Sequence, residues 1–425
     1  FRSIYRTMAE CGLTHDEGPD VGGPVGPYVQ TERRGLYGKY ADLLVKKGGA
    51  YYCFCEKTES EEDSGEFNRA ADPCRSLPPE EAAARVAAGA PYVIRQRIPA
   101  EGQTTFHDAS YGDITVDNNT LDDQILLKRD GLPTYNFANV VDDHLMGITH
   151  VVRGSEYLSS APKYNLLYEA FGWEVPTYVH CAPVMRDAQH KMSKRHGDPS
   201  YEDLIAQGYL TEAVLNYVAL LGWSPKGELS EQEFFTLDEL AKAFDIAGIS
   251  KSPAVFDIEK LRWMNSEYVR RLSPEAFYAK AEPWLRKAIH REGLDLRAVA
   301  ALVQSRCEVL SDLPDRVDFL EALPDYDTAL YVHKKSKSTL ETSAAALRAA
   351  LPVLEAQETW TNEALYEALL GVVTRLGVKN SVVLWPIRVA VSGRASTPGG
   401  ATELCALLGR EESLRRIRDG IARLG

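Results

Sequence analysis

The sequence predicts an α/β part that carries an inserted α+β module, followed by a long all-helical part. Three observations lead there. Residues 131–190 alternate helix-like and strand-like segments, which is α/β patterning. Residues 92–116 contain short runs of alternating apolar and polar side chains, which read as strands. From about residue 200 onward the apolar positions recur almost only at helical spacing, as in 298–310, 343–354 and 364–376.

Each element has a local reason. Ile4, Met8 and Leu13 fall on or near one face of an opening amphipathic helix. A Gly/Pro-rich stretch over 18–27 reads as a loop, and 32–47 as a second helix that Gly48-Gly49 ends. Ala50-Tyr51-Tyr52-Cys53-Phe54 reads as a short buried strand, and the acidic run 56–66 as a solvated segment. Residues 92–98, 113–116 and 124–128 read as strands, the last leading into a turn at Asp130-Gly131. Then follow a helix over 136–146, a strand over 149–153, a helix over 159–171 and a strand over 178–183.

The 425 residues predict about two to four domains. A composition of 44% hydrophobic and 26% charged residues excludes a mainly disordered or fibrous chain. No apolar run is long enough to span a membrane, and the first residues show no signal-peptide pattern. The net charge of −13 argues against nucleic acid on totals alone, but binding depends on local patches. Seven scattered cysteines do not make a disulfide framework and fit a reducing, cytoplasmic setting. Cys11, Cys181, Cys307 and Cys405 sit among apolar neighbours and read as core.

The most informative stretch is Gln189-His190-Lys191-Met192-Ser193-Lys194-Arg195-His196-Gly197. A loop with this many cations around one serine can wrap a polyphosphate: lysines supply compact charge and backbone N–H groups add donors. Attack at the α-phosphate of ATP builds charge on the departing pyrophosphate, which Lys191 and Lys194 can stabilise. The bland alternative is a solvated basic loop.

Lys191-Met192-Ser193-Lys194-Arg195 resembles the second signature of class I aminoacyl-tRNA synthetases. The segments 133–144, 150–156, 171–173, 216–223 and 256–261 look like bacterial glutamyl-tRNA synthetases, and matches run from Asp16 to Arg388. The resemblance implies a Rossmann-type catalytic domain with an inserted α+β acceptor-stem-binding module, then an all-α stem-contact and anticodon-binding region. It divides the chain into 1–52 and 131–190 (catalytic), 53–130 (insert), 191–270 (stem contact, with the lysine loop) and 271–425 (anticodon).

The implied reaction activates L-glutamate with ATP and Mg²⁺, then passes glutamyl to the terminal adenosine of tRNA-Glu, with tRNA-Gln a second acceptor left open. A carboxylate side chain needs a buried cation, and Arg153 at a strand end fits. Tyr135 and Asn139 lie four apart on one helical face and complete the implied glutamate pocket. Glu156, Val184, Met185, Lys191, Ser193, Lys194 and Arg195 are the implied ATP contacts. For Arg153 the alternative is a surface ion pair, and for Val184 and Met185 plain core.

Cys53-Phe54-Cys55 with Cys74 resembles the cysteine knuckle that some bacterial members carry in the insert. Three thiolates and one further ligand suit tetrahedral Zn²⁺. The zinc-binding form has Tyr where this chain has Ala70, so zinc and three plain thiols stand as alternatives. Arg262, Arg270-Arg271 and the run Lys334, Lys335, Lys337 are candidate tRNA contacts, with a solvated helix face as the alternative. Discriminating members have an Arg at the position that aligns loosely with Ser338. The expected state is a cytoplasmic monomer with no membrane contact. The His-x-Gly-His first signature does not occur in these residues, so a chain starting at Phe1 is expected to lack ATP–pyrophosphate exchange. Two rival readings follow, a non-catalytic tRNA-binding relative and a glutamate-activating paralogue that modifies tRNA.

Overall fold

In the computed structural model, residues 2–55 and 72–425 are described. The acidic run 56–66 and Ala70 lie outside them. The chain forms two compact units. The first comprises residues 1–198 and 218–256, the second residues 199–217 and 257–425.

The first unit is built on two sheets. Strands β1 (Ala50–Cys53), β2 (Val93–Gln96) and β5 (Ile125–Leu127) form an antiparallel sheet in the order β1-β2-β5. Strands β3 (Gln103–Asp108), β4 (Gly112–Asp117), β6 (His150–Gly154) and β7 (Thr177–Cys181) form the other, in the order β4-β3-β7-β6. In it β6, β7 and β3 run parallel and β4 is antiparallel to β3. The crossover between β6 and β7 is helix Ala161–Phe171, the short α/β connection that the pattern of 149–183 predicts.

Helix Arg34–Lys46 buries Tyr37, Ala41 and Leu44, the i, i+4, i+7 stripe of an amphipathic helix. It is tied to helix Tyr135–Leu145 by Asp142, whose carboxylate takes Arg33 Nε at 2.8 Å and the Tyr37 hydroxyl at 2.7 Å. Gly172 ends helix Ala161–Phe171 with φ +75°, a conformation that a residue with a Cβ adopts only at a cost. One core joins Tyr37, Ile94, Phe106, Leu126, Phe137, Tyr164 and Tyr178. That core runs through 1–52, 53–130 and 131–190 alike, because β1 pairs with β2 and β3 pairs with β7. The expected insert 53–130 is therefore interleaved with its host. The lysine loop falls in the first unit, with residues 218–256 but not with 199–217.

The second unit is helical, as the periodicity beyond residue 200 predicts. Its core unites Leu210, Phe277, Leu313, Phe319, Leu347, Leu369, Ile387 and Ile417, from helices spread over the whole C-terminal half. One exception to the all-helical expectation beyond 200 belongs to the first unit. The two-residue strand β9 (Ala254–Val255) pairs in parallel with β8 (Val184–Met185), too short a run to show a period of two.

Candidate functional site

The parallel register of β6 on β7 places Arg153 beside His180. Arg153 Nε donates to His180 Nε2 at 3.2 Å. Its guanidinium lies over three phenol rings: Tyr164 at 4.7 Å, Tyr157 at 5.1 Å and Tyr178 at 5.6 Å to the ring centroids. Nη2 of Arg153 is buried with no acceptor, and the nearby Tyr178 hydroxyl and Asn139 Nδ2 are buried and unpaired as well. Arg153 forms no ion pair among the described residues, so the surface-pair alternative fails. A half-buried cation with a buried vacant donor and two further unpaired polar groups around it suits an anionic ligand.

Tyr135 and Asn139 both reach this environment. Tyr135 is exposed and its ring lies 5.7 Å from that of Tyr157, while Asn139 faces the Tyr164 phenol. Burial pushes the Asp143 carboxyl up to about 6, although the Arg153 charge pulls it down. Glu156 sits in a single turn, Ser155–Tyr157, directly after β6, and is exposed. The Glu156 carboxylate folds back over Gly154, where a Cβ would push this mobile side-chain end aside.

Beyond β7 the chain passes through β8 into the lysine loop. Val184 O accepts from Met192 N at 3.2 Å, and Met185 O from Phe256 N at 2.8 Å. Both carbonyls thus already hold one hydrogen bond each within the protein. Asp187 caps the turn by accepting from the backbone N–H groups of Gln189 and His190 and from the His190 ring, which holds its carboxyl below the usual carboxylate range. Ser193 N donates to Asp198 at 2.7 Å, and Ser193 Oγ accepts from Arg195 N. Gly197, at φ +81°, closes the turn. With the backbone anchored at both ends, the Lys191, Lys194 and Arg195 side chains stay exposed.

Cys53, Cys55 and Cys74 do converge, and Asp72 joins them. One ligand atom from each of the four lies within 4.8 Å of the others. Asp72 is the fourth donor that the sequence reading left unnamed; an acid two residues before the last cysteine was the available signal. Its other oxygen takes the Tyr51 hydroxyl at 2.8 Å, and Phe54 N donates to Cys74 Sγ at 3.3 Å. Burial raises the Cys53 and Cys55 thiols above their ordinary range. Of the cysteines read as core, Cys11, Cys307 and Cys405 are buried, but Cys181, at the end of β7, is only half-buried.

In the second unit the cation candidates separate. Arg262 is bound by Glu308 at 3.0 Å and Asp312 at 2.6 Å, so its charge is spent inside the protein. Arg270 pairs with Glu267, and Arg271 lies over Tyr268. Lys334, Lys335 and Lys337 are exposed, on a tight turn closed by the paired backbone of His333 and Ser338. That corrects the helix-face alternative; Lys337 has φ 54°, which no helix contains. Ser338 is buried below the turn. Arg306, Arg316 and Arg394 line a cavity of about 290 Å³ that sequence reading missed, with Asp315 the one acid among its lining residues.

Similarity to known proteins agrees with this geometry. Residues 1–263 match the family of class I tRNA synthetases (E and Q), catalytic domain, and residues 276–421 an anticodon binding domain. The glutamate–tRNA ligase of Clostridium botulinum is 56% identical over 427 residues, covering 99% of this chain and 87% of the relative. That of Clostridium acetobutylicum is also 56% identical, with the same coverage. Among solved structures, a glutamate tRNA ligase of Elizabethkingia meningosepticum in complex with its amino acid superposes with a TM-score of 0.87 at 31% identity. That match covers 100% of this chain and 89% of the other. No helix among the described residues is long and apolar enough to cross a membrane. The chain, a Rossmann-like catalytic unit with a helical anticodon region, belongs to the class I tRNA synthetases of the glutamyl and glutaminyl group.

Proposed function

We propose that the protein is a glutamate–tRNA ligase that forms glutamyl-adenylate from L-glutamate and ATP and passes glutamyl to the terminal adenosine of tRNA-Glu. The observation that carries glutamate as substrate is Arg153: a half-buried guanidinium whose buried Nη2 is vacant, with no protein carboxylate in ion-pair contact. Its planar fork holds the side-chain carboxylate, while Tyr135 and Asn139 supply neighbouring polar contacts. The substrate's α-carboxylate oxygen then attacks the α-phosphorus of ATP and the bond to the bridging oxygen breaks. Lys191 and Lys194 receive the charge that develops on pyrophosphate, with Ser193 and Arg195 holding the phosphates. Glu156, Val184 and Met185 border the nucleoside. A ribose hydroxyl of the tRNA end next attacks the activated carbonyl and AMP leaves. Mg²⁺ brought with ATP would supply neutralisation of phosphate charge.

The four donors Cys53, Cys55, Asp72 and Cys74 fit Zn²⁺ in number, type and spacing, and a bound ion would hold β1 against the segment around Cys74. Metal analysis of the purified protein is expected to give about one zinc per chain, reduced by Cys55→Ala; zinc absent from both sinks this assignment. The exposed Lys334, Lys335 and Lys337 supply tRNA phosphate contacts in the anticodon-binding part. The family division of the chain at 52, 130, 190 and 270 carries over as a functional one. Its free thiols suit the cytoplasm, where it acts as a monomer.

The test is aminoacylation by the full-length protein. Glutamate is expected on tRNA-Glu and glutamine is not, with Lys194→Ala lowering kcat roughly 100-fold. Failure to charge tRNA-Glu refutes the reading, and charging of tRNA-Gln decides whether acceptor choice is strict.

A further inference from the structure

The structure assigns Asp108 and His180 as positioning residues that aim Arg153 at the glutamate side chain. Neither lies in the lysine loop or among the residues expected to touch ligand. Both are fully buried. Asp108, at the end of β3, accepts through Oδ1 from Ser110 N at 2.9 Å and Tyr111 N at 2.8 Å. Its Oδ2 accepts from the His180 backbone at 3.2 Å and contacts His180 Nδ1 at 2.6 Å. On the far side of the ring, Nε2 meets Arg153 Nε at 3.2 Å.

The direction of every bond in this chain is fixed by chemistry. Arginine can only donate, so His180 Nε2 must be the acceptor. The imidazole proton then sits on Nδ1 and is donated to Asp108, whose own orientation is set by backbone N–H groups. This is the arrangement by which a carboxylate fixes the tautomer of a metal-binding histidine, with a guanidinium in place of the metal. It occupies Arg153 Nε from behind with a neutral partner. The charge is left uncancelled and Nη2 stays free for a ligand. A carboxylate in the position of His180 would neutralise the arginine and compete with substrate.

The inference rests on the reading of Arg153 as the glutamate-binding cation, and the experiment separates the two. Glutamate, ATP and tRNA dependence of charging are measured for the full-length protein and for Arg153→Gln, Asp108→Asn, His180→Leu and His180→Gln. An asparagine at 108 turns a donor toward Nδ1, so the ring must carry its proton on Nε2, against the N–H of Arg153. Asp108→Asn is expected to raise KM for glutamate roughly tenfold or more, with KM for ATP within about twofold. Nitrogen NMR of histidine-labelled protein is expected to show the His180 proton moving from Nδ1 to Nε2. His180→Leu is expected to raise KM for glutamate similarly, and His180→Gln, which keeps an acceptor, to restore part of it. If Arg153→Gln raises KM for glutamate but Asp108→Asn and His180→Leu stay within about twofold, the positioning role falls and the pocket stands. KM values for glutamate and ATP rising together would mark the pair as merely structural and also overturn it. If Arg153→Gln leaves KM for glutamate unchanged, the pocket reading fails and this one with it.

Discussion

Each unit holds an arginine whose Nη2 is buried and unpaired, and the two are solved in opposite ways. Arg416, in helix Arg410–Leu424, is fully buried. Its Nε donates to Glu412 at 2.7 Å and its Nη1 to the carbonyls of Phe319 and Val391, each at 2.7 Å. Arg153 has one hydrogen bond, to a neutral imidazole, and three aromatic faces. A charge that the protein pairs directly with its own carboxylate is a structural pin; one with no carboxylate in ion-pair contact, only Asp143 at longer range, is held for something that comes and goes. Burial alone therefore does not mark a site. What marks it is the lack of a directly paired carboxylate.

The largest expected effect follows from removing each cation. Arg416→Met strands the carbonyls of Phe319 and Val391 and leaves Glu412 with Arg415 alone, and is expected to cost about 3 kcal/mol of stability. Arg153→Met strands only His180 Nε2 while removing a half-buried charge, and is expected to change stability by about 1 kcal/mol or less. Urea unfolding of both variants checks the contrast; similar losses would break it.

Next comes the ligand itself. Glutamate at about a hundred times its dissociation constant is expected to stabilise the protein by about 2.7 kcal/mol. The gain should vanish in Arg153→Met and persist in Arg416→Met variants that still fold. Thermal melts with and without glutamate measure it, and an equal gain in Arg153→Met would show that the carboxylate binds elsewhere.

Asp143 sharpens the contrast within the first unit. Its carboxyl is raised from 3.8 to about 6, mainly by burial. The folded protein therefore binds this proton more tightly than the unfolded chain, and stability falls as pH rises from about 4 through about 6. Asp143→Asn removes that penalty. It is expected to stabilise by about 1–2 kcal/mol at pH 8, after allowance for partial exposure, and by less at pH 5. Denaturant midpoints at the two pH values test this, and a gain independent of pH would point to packing instead of charge.

What could be read in advance follows the range of each interaction. Strands and helices of 124–183 were legible because their patterns are local, and Arg153 because a strand-end cation next to Gly154 stands out. Asp108 and His180 were not legible: 72 residues separate them, and only the pairing of β3 with β7 brings them together. The loop lysines could be named but not the Asp187 and Asp198 anchors that hold their backbone, since such bonds depend on a turn no periodicity encodes. Arg262 misled for the converse reason, as its partners Glu308 and Asp312 lie in another segment. The interleaving of 53–130 with its host escaped because strand partners are not written in a strand's own sequence.

The smallest expected effect tests the neutralised side of the comparison. Hydrogen bonds from Arg415 and Arg416, together with their charges, hold the Glu412 carboxyl down at about 2, against the opposing effect of burial. Because the folded value lies below the unfolded one, the stabilisation is fully present above about 4.5 and is lost as pH falls through about 2. Much of the Glu412 side chain stays near solvent, with its carboxylate shared between one exposed and one buried arginine. The exposed bond to Arg415 is screened, so most of the effect belongs to Arg416. Glu412→Gln keeps an acceptor for Arg416 Nε but removes its counter-charge. It is expected to cost about 1 kcal/mol at pH 7 and distinctly less at pH 3.5, where the wild-type carboxylate has lost part of its advantage. Adding 0.5 M NaCl should leave that cost nearly unchanged if the buried pair carries it; a cost that salt abolishes would mean Arg416 is as free of internal neutralisation as Arg153.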